Sequence, residues 1–103
     1  MKIVEFTAPL GLDNRRRHRH VRVKKKIIEF MVQYETKIGD EWYPVIRYDT
    51  AHGFAHVDKL SPDGRIEKKK LNFTNFKDAL NYAVEDININ WRKYKQKFLE
   101  EIK

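Results

Sequence analysis

Residues 28–38 read IEFMVQYETKI, and this stretch decides the fold. Ile28, Phe30, Val32, Tyr34, Thr36 and Ile38 fall on one side of an extended chain, and Glu29, Met31, Gln33, Glu35 and Lys37 on the other. Successive side chains of a strand point to opposite faces, so the alternation predicts a half-buried β-strand that begins near Lys26. Gly39-Asp40 follows, with glycine at the first position of a two-residue turn, the chemistry of a type II′ hairpin. The return strand runs from Glu41 to about Asp49 and carries aromatic and β-branched residues on both sides. Pro44 within it has no N–H to donate, so it belongs at an edge, a bulge or another unpaired position.

Downstream, Thr50 to Gly53 breaks the pattern and Phe54 to Leu60 reads as a third strand. Ser61-Pro62-Asp63-Gly64 is a turn with proline second and glycine fourth. Arg65 to Leu71 completes a second hairpin, whose Lys68-Lys69-Lys70 run reads as a solvated edge that discourages strand addition. Asn75 is placed to cap a helix, with Asp78 returning a carboxylate toward the positive helix terminus. Phe76, Leu80, Ala83, Val84, Ile87, Trp91, Tyr94, Phe98 and Ile102 then recur at three- and four-residue steps, one apolar stripe. A helix of that length is about 40 Å long, against about 26 to 34 Å for strands of ordinary length. Its end is therefore expected to overhang. Either it breaks near Asn88-Ile89-Asn90, or Tyr94, Phe98 and Ile102 pack on the N-terminal segment or on a second subunit.

Working back from Lys26, residues 15–26 read RRRHRHVRVKKK, with eight Lys or Arg and no acid. The remaining 14 basic and 15 acidic residues nearly cancel, so the net charge of +7 is a local feature. Before this run, Met1 to Phe6 reads as a short strand, and Pro9, Gly11, Asp13 and Asn14 mark a loop. The expected fold class is α+β: an antiparallel meander of about four strands, two hairpins, packed against a long C-terminal amphipathic helix. The chain reads as one domain over residues 1–103: a short strand and basic arm to residue 25, the sheet over 26–72, and the helix over 75–102.

Composition narrows the functional classes. At 103 residues and 41% apolar, the chain can bury one core but not two. With no cysteine there is no disulfide framework, thiolate metal site or cysteine nucleophile, which suits a reducing cytoplasm. No signal peptide is read at the start, and no apolar run approaches the roughly 18 to 20 residues of a spanning helix, so no membrane role is expected. The 36% of charged residues fits a thermophilic source. A phosphate-binding Gly-rich loop, a dinucleotide fingerprint and an H-E-x-x-H motif are all missing, and the only serine is Ser61, in a turn. No cofactor is expected.

Two clusters remain as sites. Arg15, Arg16, Arg17, Arg19, Arg22, Lys24, Lys25 and Lys26 form a positive segment suited to nucleic-acid phosphates; the competing reading is a solvated arm kept soluble by charge, with His18 and His20 part of it. Trp42, Tyr43 and Tyr48 are aromatic candidates for base stacking or for the core. In the second cluster, Arg47, Tyr48, Asp49, His52, His56 and Asp58 occur within RYDTAHGFAHVD. Histidines there can carry protons, arginine can steady a phosphate, and Asp49 or Asp58 can fix a tautomer, the elements of metal-independent RNA cleavage. On one straight strand His52 and His56 would be about 13 Å apart, so a bend at Gly53 has to close the gap. His and Asp also suit zinc, manganese or iron, although D-x-x-H-x-x-x-H is not a diagnostic metal spacing. A purely structural alternative has Asp49 bonding loop amides and His56 as an ordinary sheet residue.

The order Arg47-Tyr48-Asp49, His52, His56 on the next strand, an Asp63-Gly64 turn, a polar strand and a helix near Phe76 resembles uncharacterised small prokaryotic proteins of archaeal or thermophile type. More distantly it resembles the TumE-like toxins of toxin–antitoxin modules, over about Arg47 to Ile87. The resemblance implies a small toxin that acts on RNA or is neutralised by an antitoxin-like partner, with Arg47, Asp49, His52 and His56 at the matching positions. The chain departs from that pattern in having only two histidines after the aspartate. The reading that results is a cytoplasmic RNA-associated protein with a toxin-like ribonuclease site at Arg47, Asp49, His52 and His56. Its rival is a non-enzymatic interaction module that dimerises, or pairs with a partner, through the C-terminal helix.

Overall fold

A computed structural model describes residues 1–102. Six strands precede one helix: β1 (Lys2–Gly11), β2 (Asn14–Val23), β3 (Lys26–Ile38), β4 (Glu41–Asp49), β5 (His56–Leu60), β6 (Ile66–Lys70) and α1 (Phe76–Glu100). The strands form one antiparallel sheet in chain order, each bonded to its sequence neighbours, and α1 packs across one face over β3 and β4. The α+β class is as expected, but the sheet has six strands where about four were anticipated. No helix among the described residues is long and apolar enough to cross a membrane.

The two additional strands come from the N-terminal segment, and they overturn its reading as a short strand with a basic arm. β1 runs on through Pro9 to Gly11, and the arginine-rich run is β2, lying between β1 and β3. Such a sequence holds as an inner strand because most of its polar side chains find partners on one face or the other, although Arg16 Nε and His18 Nδ1 are buried without a hydrogen bond among the described residues. On one face Arg15, Arg17 and Arg19 meet Glu35, Glu29 and Glu5. On the other, Asn14 accepts hydrogen bonds from the Tyr34 and Thr36 hydroxyls at 2.6 and 3.0 Å, and Arg16 donates to Asn88 of α1.

The strand over 28–38 keeps its alternation from Phe30 to Thr36, whereas Ile28, expected on the same face, is exposed. Phe30, Val32, Tyr34 and Thr36 are buried under α1. Gly39 takes the positive φ that its turn position requires, and the ladder shifts register beside Pro44, leaving Val45 as a bulge. Asn75 caps α1 by accepting from the Asp78 N–H at 2.8 Å. Ala79, Leu80, Ala83, Ile87, Trp91 and Phe98 are the buried stripe of the helix, and a Cβ at Gly11 would stand only 3.2 Å from the Trp91 indole.

The expected overhang does not occur. α1 is continuous through Asn88, Ile89 and Asn90, and its 25 residues span about 37 Å. β3 has 13 residues, about 43 Å, so it is at least as long as the helix that packs on it. Phe98 is 3% exposed and packs on the Tyr43 ring, Tyr94 is half-buried, and only Ile102 stands largely in solvent.

Candidate functional site

Among the described residues no element covers the face of the sheet turned away from α1, and that face gathers most of the chemistry-bearing residues. Strand pairing lays them in two rows. One runs Arg17, Gln33, Arg47, Asp58 and Lys68 across β2 to β6; the next runs Arg19, Met31, Asp49, His56 and Lys70. Long polar side chains laid across one another keep Gln33, Glu35, His56 and Asp58 buried on this open face.

Three of the four residues expected to be catalytic come together here. Asp49 and His56 are opposite each other on β4 and β5, with Asp49 Oδ1 2.7 Å from His56 Nε2. Gly53, at φ 84°, turns the β4–β5 loop back, and the His52 ring centroid lies 5.6 Å from that of His56. The 13 Å separation of a straight strand is thereby closed. Arg47 stands one row away and donates from Nε to Gln33 Oε1 at 2.6 Å. Asp58 joins the group in its place, with Oδ2 3.8 Å from His56 Nε2. Asp49 also accepts from the Ala51 N–H at 3.1 Å, the loop-amide bond of the structural alternative. The rings of His52 and Phe54 lie against His56, which is 1% exposed, while His52 itself is open to solvent.

The eight basic residues divide. Arg15 bonds Glu35 at 2.6 Å and stacks on Trp42, Arg17 lies 3.5 Å from Glu35, and Arg19 bonds Glu29 at 2.8 Å. Arg16 is buried on the helix side, where burial lowers its pKa from the ordinary value. By contrast Arg22, Lys24, Lys25 and Lys26 are exposed and make no ion pair among the described residues. They occupy the β2–β3 hairpin end, with Lys2 opposite Arg22. A groove of about 520 Å³ runs from Lys25 and Lys26 over Ile27, Ile28 and Phe76 to Lys77 at the start of α1.

His18 and His20 are not part of a solvated arm. His18 is buried, stacked on Phe6 with centroids 4.5 Å apart, and its Nε2 lies 2.7 Å from His20 Nδ1. Burial first, then His20 and Arg16, lower the His18 pKa to about 4. Among the stacking candidates, Tyr48 is core, Tyr43 packs on Phe98 and Trp42 is half-buried beneath Arg15.

The model of a domain of unknown function, DUF7718, matches residues 1–103. The chain belongs to the DUF7718 family. No curated protein and no solved structure matches it.

Several residues that shape this DUF7718 site did not stand out in the sequence. Gln33 and Glu35 were visible only as the polar side of a strand; that Glu35 holds Arg15 and Arg17 follows from β2 pairing with β3, and that Gln33 holds Arg47 follows from β3 pairing with β4. On the opposite, helix-covered face, Asp86 accepts hydrogen bonds from Tyr48, Tyr94 and Asn90, and its one signal in the sequence was its position four residues before Asn90 and eight before Tyr94 on one helix face.

Proposed function

We propose that the protein binds single-stranded RNA, holding the phosphate chain with the cationic end of the β2–β3 hairpin. The observation that carries this reading is the set of cations without acid partners among the described residues, Lys2, Arg22, Lys24, Lys25 and Lys26, with Lys77 across the groove. Such a group attracts a polyanion and gains from counterion release, whereas Arg15, Arg17 and Arg19 are already engaged by carboxylates. Ile27, Ile28 and Phe76 give the groove an apolar floor on which a base can rest.

A second reading is RNA cleavage, favoured by the approach of exposed His52 to the His56–Asp49 pair. His52 is the group that reaches solvent to exchange a proton with substrate, and His56 lies behind it. The resemblance of Arg47 to Ile87 to TumE-like toxins agrees with that chemistry and with an antitoxin-like partner. Assembly through the helix has less support, because the stripe that would mediate it is covered by the sheet.

The test is binding to labelled single-stranded RNA across a salt series, with the same samples run on a gel. Affinity should fall steeply with salt, and replacing Arg22, Lys24, Lys25 and Lys26 by alanine should lower the log–log slope by about 0.7 for each phosphate that is no longer neutralised. No binding at low salt would remove the RNA reading. Cleavage that disappears in His52→Ala would add the ribonuclease reading to it.

A further inference from the structure

We infer that Asp49, His56 and Asp58 form a binding site for a divalent transition-metal ion, with His52 beside them as the residue placed to complete its shell. One oxygen from each carboxylate and one imidazole nitrogen lie within 4.8 Å of one another. His56 Nε2 is 2.7 Å from Asp49 Oδ1 and 3.8 Å from Asp58 Oδ2. Ligands on a metal with bonds of about 2.0 to 2.2 Å stand about 3.0 to 3.4 Å apart, so small side-chain rotations bring all three to one ion. The register of two paired strands supplies the set: Asp49 faces His56, and Asp58 follows two residues on, on the same face.

Asp58 points to a ligand independently of that spacing. It is 5% exposed, and its Oδ1 is buried and accepts no hydrogen bond among the described residues. Burying a carboxylate without partners is costly. The nearest cation, the Lys68 ammonium, is 3.6 Å from Oδ1 at the end of a half-exposed side chain on the edge strand. A divalent ion bound to this carboxylate through either oxygen brings positive charge closer than that ammonium does.

The orientation of His56 agrees. An oxygen faces each ring nitrogen, the Phe54 carbonyl at Nδ1, 3.4 Å away, and Asp49 at Nε2. A neutral imidazole has one N–H for these two acceptors. With that N–H on Nδ1, directed at the carbonyl, Nε2 offers its lone pair toward the carboxylates, the way metal-bound histidines are commonly oriented. The rings of Phe54 and His52 cover the group, while the part-exposed Asp49 leaves an opening through which an ion and water can enter. One imidazole with two carboxylates suits zinc, manganese or iron in the divalent state.

Cobalt(II) serves as the probe, titrated into the chelator-treated full chain while visible absorption and thermal unfolding are followed. One Co²⁺ per chain should bind, raise the melting temperature and be displaced by Zn²⁺. Asp58→Asn, which keeps the side-chain shape, and His56→Gln should each weaken binding at least about tenfold. His20→Gln, which disrupts the molecule's other close imidazole pair, should leave it unchanged. No cobalt spectrum in a chain whose circular dichroism shows it folded would overturn the site. So would a spectrum that survives Asp58→Asn or is lost in His20→Gln. The titration contains no RNA, so its outcome and that of the RNA-binding reading are independent.

Discussion

The Tyr48 hydroxyl donates to Asp86 Oδ2 at 2.6 Å, joining the end of β4 to the middle of α1. Tyr94 donates to the same carboxylate at 2.7 Å and Asn90 at 2.8 Å, so Asp86 collects three donors beneath the helix. Burial, reinforced by the carboxylate, pushes the pKa of both hydroxyls well above the ordinary tyrosine value and keeps them donors. Tyr48→Phe should therefore cost about 1.5 to 3 kcal/mol in urea unfolding, the range for a hydrogen bond to a charged group. Asp86→Ala should cost more, because it strands two hydroxyls; equal losses in the two variants would show that the network does not act through Asp86.

Phe98 and Ile102 lie on one helical stripe but have different surroundings. Phe98→Ala empties a filled position against Tyr43 and should cost about 3 to 5 kcal/mol. Ile102→Ala at an exposed position should fall within about 0.5 kcal/mol of wild type. Chemical denaturation checks both, and sedimentation of the Ile102 variant shows whether assembly depends on that end of the helix.

Arg15 and Arg22 separate folding from binding within one strand. Arg15→Ala leaves the buried Glu35 with Gln33 and the more distant Arg17, and should lower stability by about 1 to 3 kcal/mol with little change in RNA affinity. Arg22→Ala should do the reverse, since its guanidinium pairs with no acid among the described residues. Measuring unfolding and RNA binding on the same two proteins tests the division.

His18 gives the fold an acid sensitivity. Its pKa is lowered from 6.5 to about 4, so between those values the unfolded chain holds more protons than the folded one. Stability contributed there is complete above pH 6.5 and declines as pH falls toward 4. The groups around it, His20, Arg16 and the Phe6 ring, provide no acid to offset the charge. His18→Gln should flatten the fall of melting temperature over that window; an unchanged slope would place the acid sensitivity elsewhere.

Local patterns carried most of the fold from Lys26 onward. The alternation at 28–38, the turn at Gly39-Asp40, the bulge beside Pro44 and the Asn75 cap were all legible, because each depends on neighbours in sequence. The N-terminal hairpin was not. Eight basic residues in twelve resemble a solvated tail until the carboxylates of Glu5, Glu29 and Glu35 are set beside them, and only strand pairing does that. The His–Asp cluster was visible as a composition, whereas its geometry depends on the Asp49–His56 register and the turn at Gly53. Asp58, treated first as an accessory to the histidines, is enclosed with His56, and its Oδ1 accepts no hydrogen bond among the described residues.

The placement of the only described helix after all six strands bears on how the protein is made. Each strand joins its predecessor through a short connection, so hairpins can form one after another as the chain leaves the ribosome. The surface of Val32, Tyr34, Ile46 and Tyr48 nevertheless stays bare until the turns bearing Trp91 and Phe98 have emerged. A nascent chain stalled before those turns displays a wide oily sheet, the kind of surface that chaperones shield and degradative machinery seizes, so completion of the helix separates a finished molecule from one marked for disposal.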